Sequence, residues 1–284
     1  MSRVSVIIVN YNAGEMLQQC VALVLASDVP VEVLVCDNAS TDDSLHLLQQ
    51  RFPQIQIQRN GRNLGFATAV NQGLARASGD TLLLLNPDCL VQPDTLSQML
   101  KAVAGKPGWG MAGCRILNPD GTEQRGCRRR LPTLGNSTRK ALGRQSDTEG
   151  MDLHQQELPH DILSVEAISG AFMLINPQAL RDVGGMDEGY FLHCEDLDWC
   201  KRFHDKGWDI LFVPWVSILH HQGHCSQAQP LRVEWHKHQG MARYYRKFLK
   251  SDHSLLTAVA VHLGIYGRFL LKAARLGVKK TNHA

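Results

Sequence analysis

Residues 65–88 read GFATAVNQGLARASGDTLLLLNPD, and this stretch decides the fold. Its first half, Gly65–Ala77, has helical character, and Thr81–Leu85 is an apolar run that reads as a strand. A strand without alternating polar residues is buried on both faces, which is typical of a parallel sheet. Pro87 stiffens the turn that follows the strand. The stretch therefore predicts one helix–strand unit of a sheet with helices on both faces.

The same alternation of strand and helix runs upstream to the N-terminus. The patterns predict strands at Val4–Val9, Val31–Cys36 and Ile55–Gln58, and helices at Ala13–Ser27 and Ser40–Phe52. This order predicts an α/β fold with a mostly parallel, doubly wound central sheet. Ligands of such sheets bind beyond the carboxyl ends of the strands, and Asp37 and Asp88 both lie just past such ends.

The second half of the chain is less regular. Residues 118–164 are rich in Arg, Gly, Pro and polar residues, which predicts a long, mobile excursion from the sheet. Strand character returns at Val165–Ile175, a helix is predicted at Glu195–Lys206, and a strand at Ile210–Val213 leads to Pro214. We expect a domain of residues 1–230 followed by a helical, basic tail of residues 231–284.

Composition excludes several classes of protein. The 284 residues are 44% hydrophobic and carry a net charge of +3, which is typical of a globular protein and too low to indicate nucleic-acid binding. The eight cysteines form no CxxC pair, so we expect free, buried thiols in a reducing cytosol. The N-terminus reads as a strand instead of a signal peptide, and no uninterrupted run of 18 apolar residues predicts a transmembrane helix. A cytoplasmic location is the resulting expectation.

The basic tail allows two interpretations. Residues 254–278 mix Leu, Val, Ile and Phe with Arg268, Lys272 and Arg275, and Lys279 and Lys280 follow. One interpretation is a terminal helix that packs on the domain. The other is an amphipathic helix that lies on an anionic membrane, at the inner face of the cytoplasmic membrane.

Two carboxylates follow predicted strands. Asp37, in VLVCDNASTDDS, is placed to accept a hydrogen bond from the imide N–H of uracil or thymine, although Asp37 and Asn38 are also residue types common in turns. Asp88, in LLLLNPDCL, is a candidate ligand of Mg²⁺ or Mn²⁺, because such ions are held by one or two carboxylates together with substrate phosphates. A plain Asn-Pro-Asp turn is the structural alternative.

Acids and histidines further along the chain add further candidates. Glu195 and Asp196 open a predicted helix, where the helix dipole favours acids without any function. The functional alternative makes one of them a general base that deprotonates a hydroxyl. His220 and His221 end a strand and point to opposite faces, so that one of them is a candidate metal ligand.

A cluster of arginines lies within the predicted excursion, at Arg125, Arg128, Arg129 and Arg130. Guanidinium groups bind phosphate through paired hydrogen bonds, so the cluster is a candidate phosphate site. A solvated, basic loop is the structural alternative. The position of the cluster between two candidate site elements favours phosphate binding.

Six segments taken together resemble a known family. They are VSVIIVNYN, VLVCDNASTDDS, NGRNLGFATAVNQGLARASGDTLLLLNPD, ISGAFMLI, GGMDEGYFLHCEDLDWCKR and HHQGHCS, and they extend from about Val4 to about Ser226. Their number and order resemble the family 2 glycosyltransferases of the GT-A (nucleotide-diphospho-sugar transferase) fold. The subgroup that looks most similar is the rhamnosyltransferase-like one, which builds O-antigen, lipopolysaccharide and other bacterial cell-surface polysaccharides.

The resemblance implies a role for each matching residue. The sugar donor would be bound by Val9, Asn10, Tyr11, Asp37, Asn38, Asn63, Leu64, Gly65, Asn71, Asn86, Pro87 and Asp88. Asp88 and His220 would hold Mg²⁺ or Mn²⁺, and Asn86 stands where relatives usually carry the first Asp of a DxD motif. Asp196, beside Glu195, would be the base in a reaction that inverts the anomeric centre. The acceptor side would comprise residues 118–164 and Arg128, Arg129, Arg130, Gly170 and Trp199.

The resemblance also implies the substrates. The donor would be a dTDP- or UDP-linked sugar, with rhamnose as the leading sugar, and the acceptor a glycan or a polyprenyl-diphosphate-linked saccharide. One competing hypothesis is a non-catalytic nucleotide-sugar-binding relative, against which the presence of Asp37, Asp88 and Asp196 counts. Another is a nucleotidyltransferase, which favours a glycine-rich phosphate loop after the first strand, where this chain has NYNAG.

Overall fold

The structure, a computed structural model, describes residues 3–141, 150–221 and 230–281. The strands are β1 (Val4–Asn10), β2 (Val31–Asp37), β3 (Gln56–Arg59), β4 (Thr81–Leu85), β5 (Cys89–Leu90), β6 (Trp109–Leu117), β7 (Arg128–Arg129), β8 (Leu163–Ser164), β9 (Ala167–Ile168), β10 (Phe172–Ile175) and β11 (Asp209–His220). The helices are α1 (Glu15–Leu25), α2 (Ser44–Arg51), α3 (Phe66–Arg76), α4 (Thr95–Val103), α5 (Leu134–Ala141), α6 (Pro177–Val183), α7 (Glu195–Asp205), α8 (Pro230–Tyr244) and α9 (Leu255–Thr281).

A nine-stranded sheet forms the centre, in the order β3-β2-β1-β4-β10-β6-β11-β5, with β8 also paired to β11. The first four strands of this order are parallel, as are β6 and β11. By contrast, β10 is antiparallel to both of its neighbours. The predicted α/β fold is therefore confirmed, as a mixed, mostly parallel sheet. A separate two-stranded ribbon pairs β7 with β9.

The core lies where the apolar runs meet the helices. Every residue of β1 and of β4 is buried, as their lack of alternation predicts. Helix α3 packs so closely on β1 that a Cβ atom at Gly73 would lie 2.4 Å from Ile7 Cγ2. Glycine at this position therefore sets the helix–sheet distance, which brings the start of α3 close to the carboxyl edge of the sheet.

Two predicted boundaries are wrong. The strand predicted at Ile210–Val213 continues through Pro214, because β11 changes its register with β6 between Val213 and Ser217. Proline has no N–H to donate and is tolerated at such an irregularity. The strand predicted at Val165–Ile175 is divided into β9 and β10, since the chain turns at Ser169, whose carbonyl accepts from Phe172 N.

The predicted excursion is partly ordered into secondary structure. Its described residues include β7, α5 and β8, and β7 pairs with β9 inside the fold. Residues 142–149 lie outside the described part of the chain. The mobility of the segment stays a prediction.

The tail combines features of both interpretations. Helix α9 packs on α8 through Trp235, which contacts Phe269 at 5.1 Å between ring centroids, and through a 2.7 Å ion pair between Lys272 and Glu234. By length and composition alone, its stretch Leu255–Leu276 could cross a membrane, with a mean hydropathy of 1.3. Only 6% of its apolar segment is buried against the rest of the protein. The expectation that the chain has no such helix is thus corrected. Scattered polar residues interrupt the apolar run, but the mean hydropathy of the stretch stays high enough for a candidate membrane span.

The cysteines agree with the expectation of free thiols. Among the described residues, Cys20, Cys36, Cys89, Cys114, Cys127 and Cys200 are free and buried, and Cys194 is free and half-buried. Burial is the main cause that raises the pKa of each of these thiols, so they behave as small apolar side chains. Cys225 lies outside the described residues.

Candidate active site

One edge of the sheet collects the residues singled out from the sequence. Because β1, β2 and β4 are parallel, their carboxyl ends deliver Asn10, Asp37 and Asp88 to the same edge. The antiparallel β10 begins there, and the Ala171 carbonyl just before it accepts from Asn86 N at 3.0 Å. Its neighbour Gly170 faces α7, since a Cβ atom at Gly170 would lie 3.5 Å from Asp196 Cβ. The candidate donor and base residues thus meet at one edge.

The predicted base-binding pocket is built on Asn10 and Asp37. Asn10 Nδ2 donates to Asp37 Oδ1 at 2.8 Å and to the hydroxyls of Ser40 and Ser44 at 2.9 Å each. Asp37 is buried, and its carboxylate also accepts from Ser40 N and Ser40 Oγ. Asn10 Oδ1 is buried and has no hydrogen-bond partner within the described part of the chain. An orphaned buried acceptor at a strand end is a place for a ligand donor. Val9 is buried and Tyr11 half-buried beside it.

The loop before α3 is held by amide side chains. Asn38 Nδ2 donates to Gly65 O at 3.0 Å, and Asn63 Oδ1 accepts from Gly65 N at 2.9 Å. Gly65 has a φ of 89°, and a Cβ there would lie 2.7 Å from Phe191 O. Asn71 bonds to both Met186 N and Met186 O, at 2.8 and 2.9 Å. These bonds join the predicted donor loop, with the half-buried Leu64, to the segment that precedes α7.

Asp88 and His220 form the buried pair of the site. The pairing of β5 with β11 brings His220 opposite Cys89, and His220 Nε2 lies 3.1 Å from Asp88 Oδ1 with each side chain 6% exposed. Asn86 Nδ2 lies 3.5 Å from the same nitrogen. The sequence left His220 and His221 as alternatives, and it is His220 that faces Asp88. Pro87 is buried in the connecting turn.

The pair fits a divalent cation. Ligand atoms of Asp88, Cys89 and His220 all lie within 4.8 Å of one another. The Cys89 thiol donates to Ala171 O, which leaves the Asp88 carboxylate and the His220 imidazole as the stronger donors of electron pairs. His220 Nδ1 lies 2.6 Å from Gln124 Oε1, an atom that can only accept, so Nδ1 carries the proton. Nε2 is then the ring nitrogen that faces the Asp88 carboxylate, and it contacts that carboxylate either by donating a proton or, once that proton is lost, through a shared cation. Carboxylate oxygens suit Mg²⁺ and Mn²⁺, whereas imidazole suits ions such as Zn²⁺ and Fe²⁺.

The two adjacent acids differ in their surroundings. Glu195 is 6% exposed, and burial together with the neighbouring charge of Asp196 raises its pKa to about 8. The Asp196 side chain is 17% exposed, and its Oδ2 accepts a short hydrogen bond from Arg129 Nη2. Burial therefore favours the protonated form of Glu195, whereas Asp196 lies in an ion pair at the more open position.

The turn that leads into α7 is strained. His193 and Cys194 have φ angles of 70° and 72°, in the left-handed region that non-glycine residues rarely adopt. Helix α8 lies against this turn, since a Cβ atom at Gly240 would be 2.6 Å from His193 O. Strained backbone persists only when its surroundings fix it, and it is frequent at functional sites.

The tail is tied to the same region by charges. Lys247 pairs with Asp187 and with the fully buried Asp198, each at 2.7 Å. Burial opposes the ionisation of Asp187, but hydrogen bonds from Lys247 and Arg243 outweigh it and lower the pKa of that carboxyl to about 2. Asp198 also pairs with Arg202 at 2.7 Å, so this third acid of the helix start is structural.

The residues predicted for the acceptor side are not all brought together. Arg129 and Gly170 both lie beside Asp196. Arg128 is 2% exposed and bonds to Glu123 at 2.9 Å, and Trp199 is fully buried with its Nε1 donating to Gly184 O. Arg130 is half-buried and donates to Gly150 O at 3.2 Å. In this arrangement Arg128 and Trp199 support the fold around the site, and Arg129 contacts the candidate base.

Sequence reasoning missed two residues at the buried pair. Cys89 follows Asp88 directly, and Gln124 lies 96 positions before His220 in the chain. The apolar context of Cys89 gave no signal of a site. Gln124 lies in the segment that reads as an irregular excursion, and its contact with His220 depends on long-range packing.

Comparison with known proteins identifies the family. The model of the family described as "Glycosyl transferase family 2" matches residues 5–181. The chain is 32% identical over 241 residues to an N-acetylglucosaminyl-diphospho-decaprenol L-rhamnosyltransferase of Mycobacterium tuberculosis. The aligned region covers 79% of this chain and 78% of that protein. It is 24% identical over 262 residues to the rhamnosyltransferase WbbL of Escherichia coli K12, covering 88% and 95%.

Solved structures share the fold. A mannosyltransferase from Pyrobaculum calidifontis, in complex with GDP-Man and Mn²⁺, superposes with a TM-score of 0.59 at 20% identity and covers 87% of this chain. This chain spans 65% of that one. TarS 1–349 of S. aureus in complex with UDP-GlcNAc also gives 0.59, at 16% identity, covering 94% of this chain and 72% of that one. The chain therefore has the GT-A fold and belongs to glycosyl transferase family 2, as a rhamnosyltransferase-like glycosyltransferase.

Proposed function

We propose that this protein is an inverting, metal-dependent glycosyltransferase that moves rhamnose from a nucleotide-diphospho-sugar to a hydroxyl of a polyprenyl-diphosphate-linked saccharide. The observation that carries the proposal is the buried Asp88–His220 pair, on the same sheet edge as Asp37. Asp196 adjoins this edge through Gly170, whose neighbour Ala171 accepts a hydrogen bond from Asn86 N. A nucleotide pocket, a cation site and a base are the parts that sugar transfer needs.

The names of the relatives support the substrates. The relative from M. tuberculosis is named for rhamnosyl transfer to an N-acetylglucosaminyl-diphospho-decaprenol, and the relative from E. coli is named a rhamnosyltransferase. We therefore propose dTDP-rhamnose as the donor, with UDP-linked sugars as the alternative. We propose an acceptor that carries a diphosphate and a polyprenyl chain.

The proposed reaction is a single displacement. The Asp196 carboxylate takes the proton of the acceptor hydroxyl, whose oxygen bonds to the anomeric carbon from the face opposite the diphosphate. The bond between that carbon and the phosphate oxygen breaks, and its electron pair leaves with the nucleoside diphosphate. A divalent cation held by Asp88 and His220 would neutralise charge on the departing diphosphate. Before the proton transfer, Asp196 exchanges its contact with Arg129 for one with the hydroxyl.

Helix α9 supports a peripheral position at the inner face of the cytoplasmic membrane. Where its side chains are described, the large apolar side chains that it exposes are Leu255, Leu256, Val259, Leu263, Leu270 and Leu271. Arg268 and Arg275 are exposed on the same helix. Apolar side chains flanked by cations bind anionic lipid surfaces, where a polyprenyl-linked acceptor is anchored.

An assay of released products tests the proposed function. The full chain is incubated with dTDP-rhamnose, an N-acetylglucosaminyl-diphospho-polyprenol and Mn²⁺. We expect release of dTDP that depends on both the acceptor and the cation, together with a rhamnosylated lipid of inverted anomeric configuration. In a parallel assay with dTTP and rhamnose 1-phosphate, release of pyrophosphate would instead indicate nucleotidyl transfer, and donor binding without any release in either assay would indicate a non-catalytic binder.

A further inference from the structure

Gln124 is a buried polar residue with no role in the proposed reaction. It lies in the turn that follows β6 and is only 3% exposed. The turn is closed by its backbone, since Gln124 N donates to Ile116 O at 2.7 Å and Asn118 N donates to Thr122 O at 2.9 Å. The Gln124 side chain reaches from this turn to the ring of His220.

Four consecutive hydrogen bonds connect this turn to His220, and each has a defined donor and acceptor. The Asp120 carboxyl, whose pKa is lowered by hydrogen bonds from the Thr122 hydroxyl and backbone, is an acceptor. Thr122 Oγ1 donates to it at 2.6 Å and accepts from Asn118 Nδ2 at 3.0 Å. Asn118 Oδ1 then accepts from Gln124 Nε2 at 3.0 Å. The remaining amide atom, Gln124 Oε1, accepts from His220 Nδ1 at 2.6 Å.

The direction of this chain decides where the imidazole proton lies. An amide has one accepting oxygen and one donating nitrogen, so each bond fixes the orientation of the next side chain. The chain begins at a carboxylate and therefore ends with a proton on His220 Nδ1. Nε2 is the nitrogen left facing Asp88 Oδ1, 3.1 Å away, and in the neutral ring with Nδ1 protonated it has a lone pair for a cation. A second bond, from Gln124 Nε2 to His220 O at 3.5 Å, holds the glutamine against the same residue.

We propose that the turn from Asn118 to Gln124 positions the metal ligand: Gln124 keeps His220 in the Nδ1–H tautomer and so presents Nε2 to a divalent cation shared with Asp88. Gln124 is thus a positioning residue that acts through His220. Partners of this kind orient a ligating imidazole, and their loss typically weakens metal binding about 10- to 100-fold. The cation half of the proposal rests on the proposed function, whereas the tautomer does not.

Two readouts test the proposal without any measurement of activity. The first is the ¹⁵N NMR spectrum of histidine-labelled, metal-free protein, which reports which nitrogen of each neutral ring carries the proton. The His220 signals are assigned by their loss in His220→Gln. The second is the affinity for Mn²⁺ alone, measured from the electron paramagnetic resonance signal of the free ion. The variants are Gln124→Met, Gln124→Glu and, as a matched control on α4, Gln98→Met.

The wild type is expected to carry the proton on Nδ1 and to leave Nε2 unprotonated. Gln124→Met keeps the volume of the side chain but removes the acceptor, so we expect the proton on Nε2 and about 10- to 100-fold weaker Mn²⁺ binding. Gln124→Glu restores an acceptor and is expected to restore the tautomer and the affinity. Gln98→Met should match the wild type in both readouts.

The proposal is overturned if the wild-type ring carries its proton on Nε2. It is also overturned if Gln124→Met keeps both the Nδ1–H tautomer and the Mn²⁺ affinity of the wild type. Should Gln124→Met unfold, Thr122→Val interrupts the same chain at an exposed position. Either an unchanged tautomer in Thr122→Val or loss of the Nδ1–H tautomer in folded Gln124→Glu would then count against the directed chain. If the wild type has the expected tautomer but binds no Mn²⁺, the divalent cation of the proposed function is contradicted, and only the tautomer half of this proposal stands.

Discussion

At the scale of residues, the two acids at the start of α7 are separated by burial. Consecutive helix residues point about 100° apart, so one of the pair must face away from a shared site. Glu195 is the buried member and its Oε2 has no hydrogen-bond partner among the described residues, whereas Asp196 contacts Arg129 beside Gly170. This difference supports Asp196 as the base and makes Glu195 a neutral neighbour.

Replacement of Asp196 by Asn should abolish most of the transfer. The amide keeps an oxygen that can accept from Arg129, so we expect a melting temperature close to that of the wild type. It cannot take a proton at neutral pH, and kcat should fall roughly 10²- to 10⁴-fold. The measurement is release of nucleoside diphosphate under saturating donor. Asp205→Asn, an exposed acid on the same helix, is the control, and turnover of Asp196→Asn within a few-fold of wild type would move the base role elsewhere.

The raised pKa of Glu195 predicts a dependence of stability on pH. The folded carboxyl keeps its proton up to about 8, whereas the unfolded one ionises near its ordinary value of 4.5. The unfolded state thus binds fewer protons between these values, and the free energy of unfolding should fall as pH rises through that window. In Glu195→Gln this fall should be smaller. The melting temperature of the variant should therefore rise relative to that of the wild type as the pH increases from about 5 to about 8.

A matched variant isolates this effect. Glu15→Gln removes an exposed carboxyl and should follow the wild type across the same range. Parallel melting curves for wild type and Glu195→Gln at every pH would contradict the assignment of a protonated, buried Glu195.

At the scale of elements, the site depends on where strands and loops stop. The loop before α3 contacts the segment before α7, because Phe66 N donates to Phe191 O at 2.8 Å. That approach requires a residue without a Cβ at Gly65, whose φ is 89°. The donor loop and the turn that carries the base are therefore one packed unit instead of two independent loops.

Replacement of Gly65 by Ala should damage both stability and donor binding. The added Cβ would lie 2.7 Å from Phe191 O in a left-handed backbone, which we expect to cost roughly 1–3 kcal/mol of unfolding free energy. Gly105→Ala is the control, because Gly105 has a φ of 70° but no atom of the described residues lies within 4 Å of its added Cβ. Chemical denaturation should show a larger loss for Gly65→Ala, and equal losses would remove the contact with Phe191 from the explanation.

Local patterns predicted the elements that depend on local sequence. Buried runs and helical spacing gave β1 to β4 and the helices between them, because both periods are written in consecutive residues. The passage of β11 through Pro214 was missed, since a register shift against β6 makes it possible. The contact of Gln124 with His220 was missed for a related reason, because the two residues meet only through pairing of distant segments.

At the scale of the whole molecule, the tail links the site to a face that the fold leaves uncovered. Helix α8 lies against the turn before α7, and Lys247, which follows α8, pairs with Asp198 in α7. Helix α9 packs on α8 by one face and exposes leucines on the other, with Leu256 82% exposed. Only helices α8 and α9 would thus lie between a lipid surface bound at α9 and the turn that carries the candidate base.

The exposed leucines of α9 should govern binding to anionic vesicles. Replacement of Leu256, Leu263 and Leu270 by Asn removes apolar side chains worth about 1.5–3 kcal/mol each when fully buried, so co-sedimentation should fall more than about tenfold. Leu163→Asn alters an exposed leucine outside the tail and serves as the control. Unchanged sedimentation of the triple variant with vesicles of anionic lipid would contradict a membrane contact through α9.

The most direct test of the site is a thermal-shift measurement of donor and cation together. A ligand that binds only the native state raises the melting temperature by mass action. We expect dTDP-rhamnose and Mn²⁺ together to raise it more than the sum of their separate effects in the wild type, and to lose that excess in Asp88→Ala. No excess in the wild type, or an equal excess in Asp88→Ala, would contradict the account of a cation that joins the donor diphosphate to Asp88 and His220.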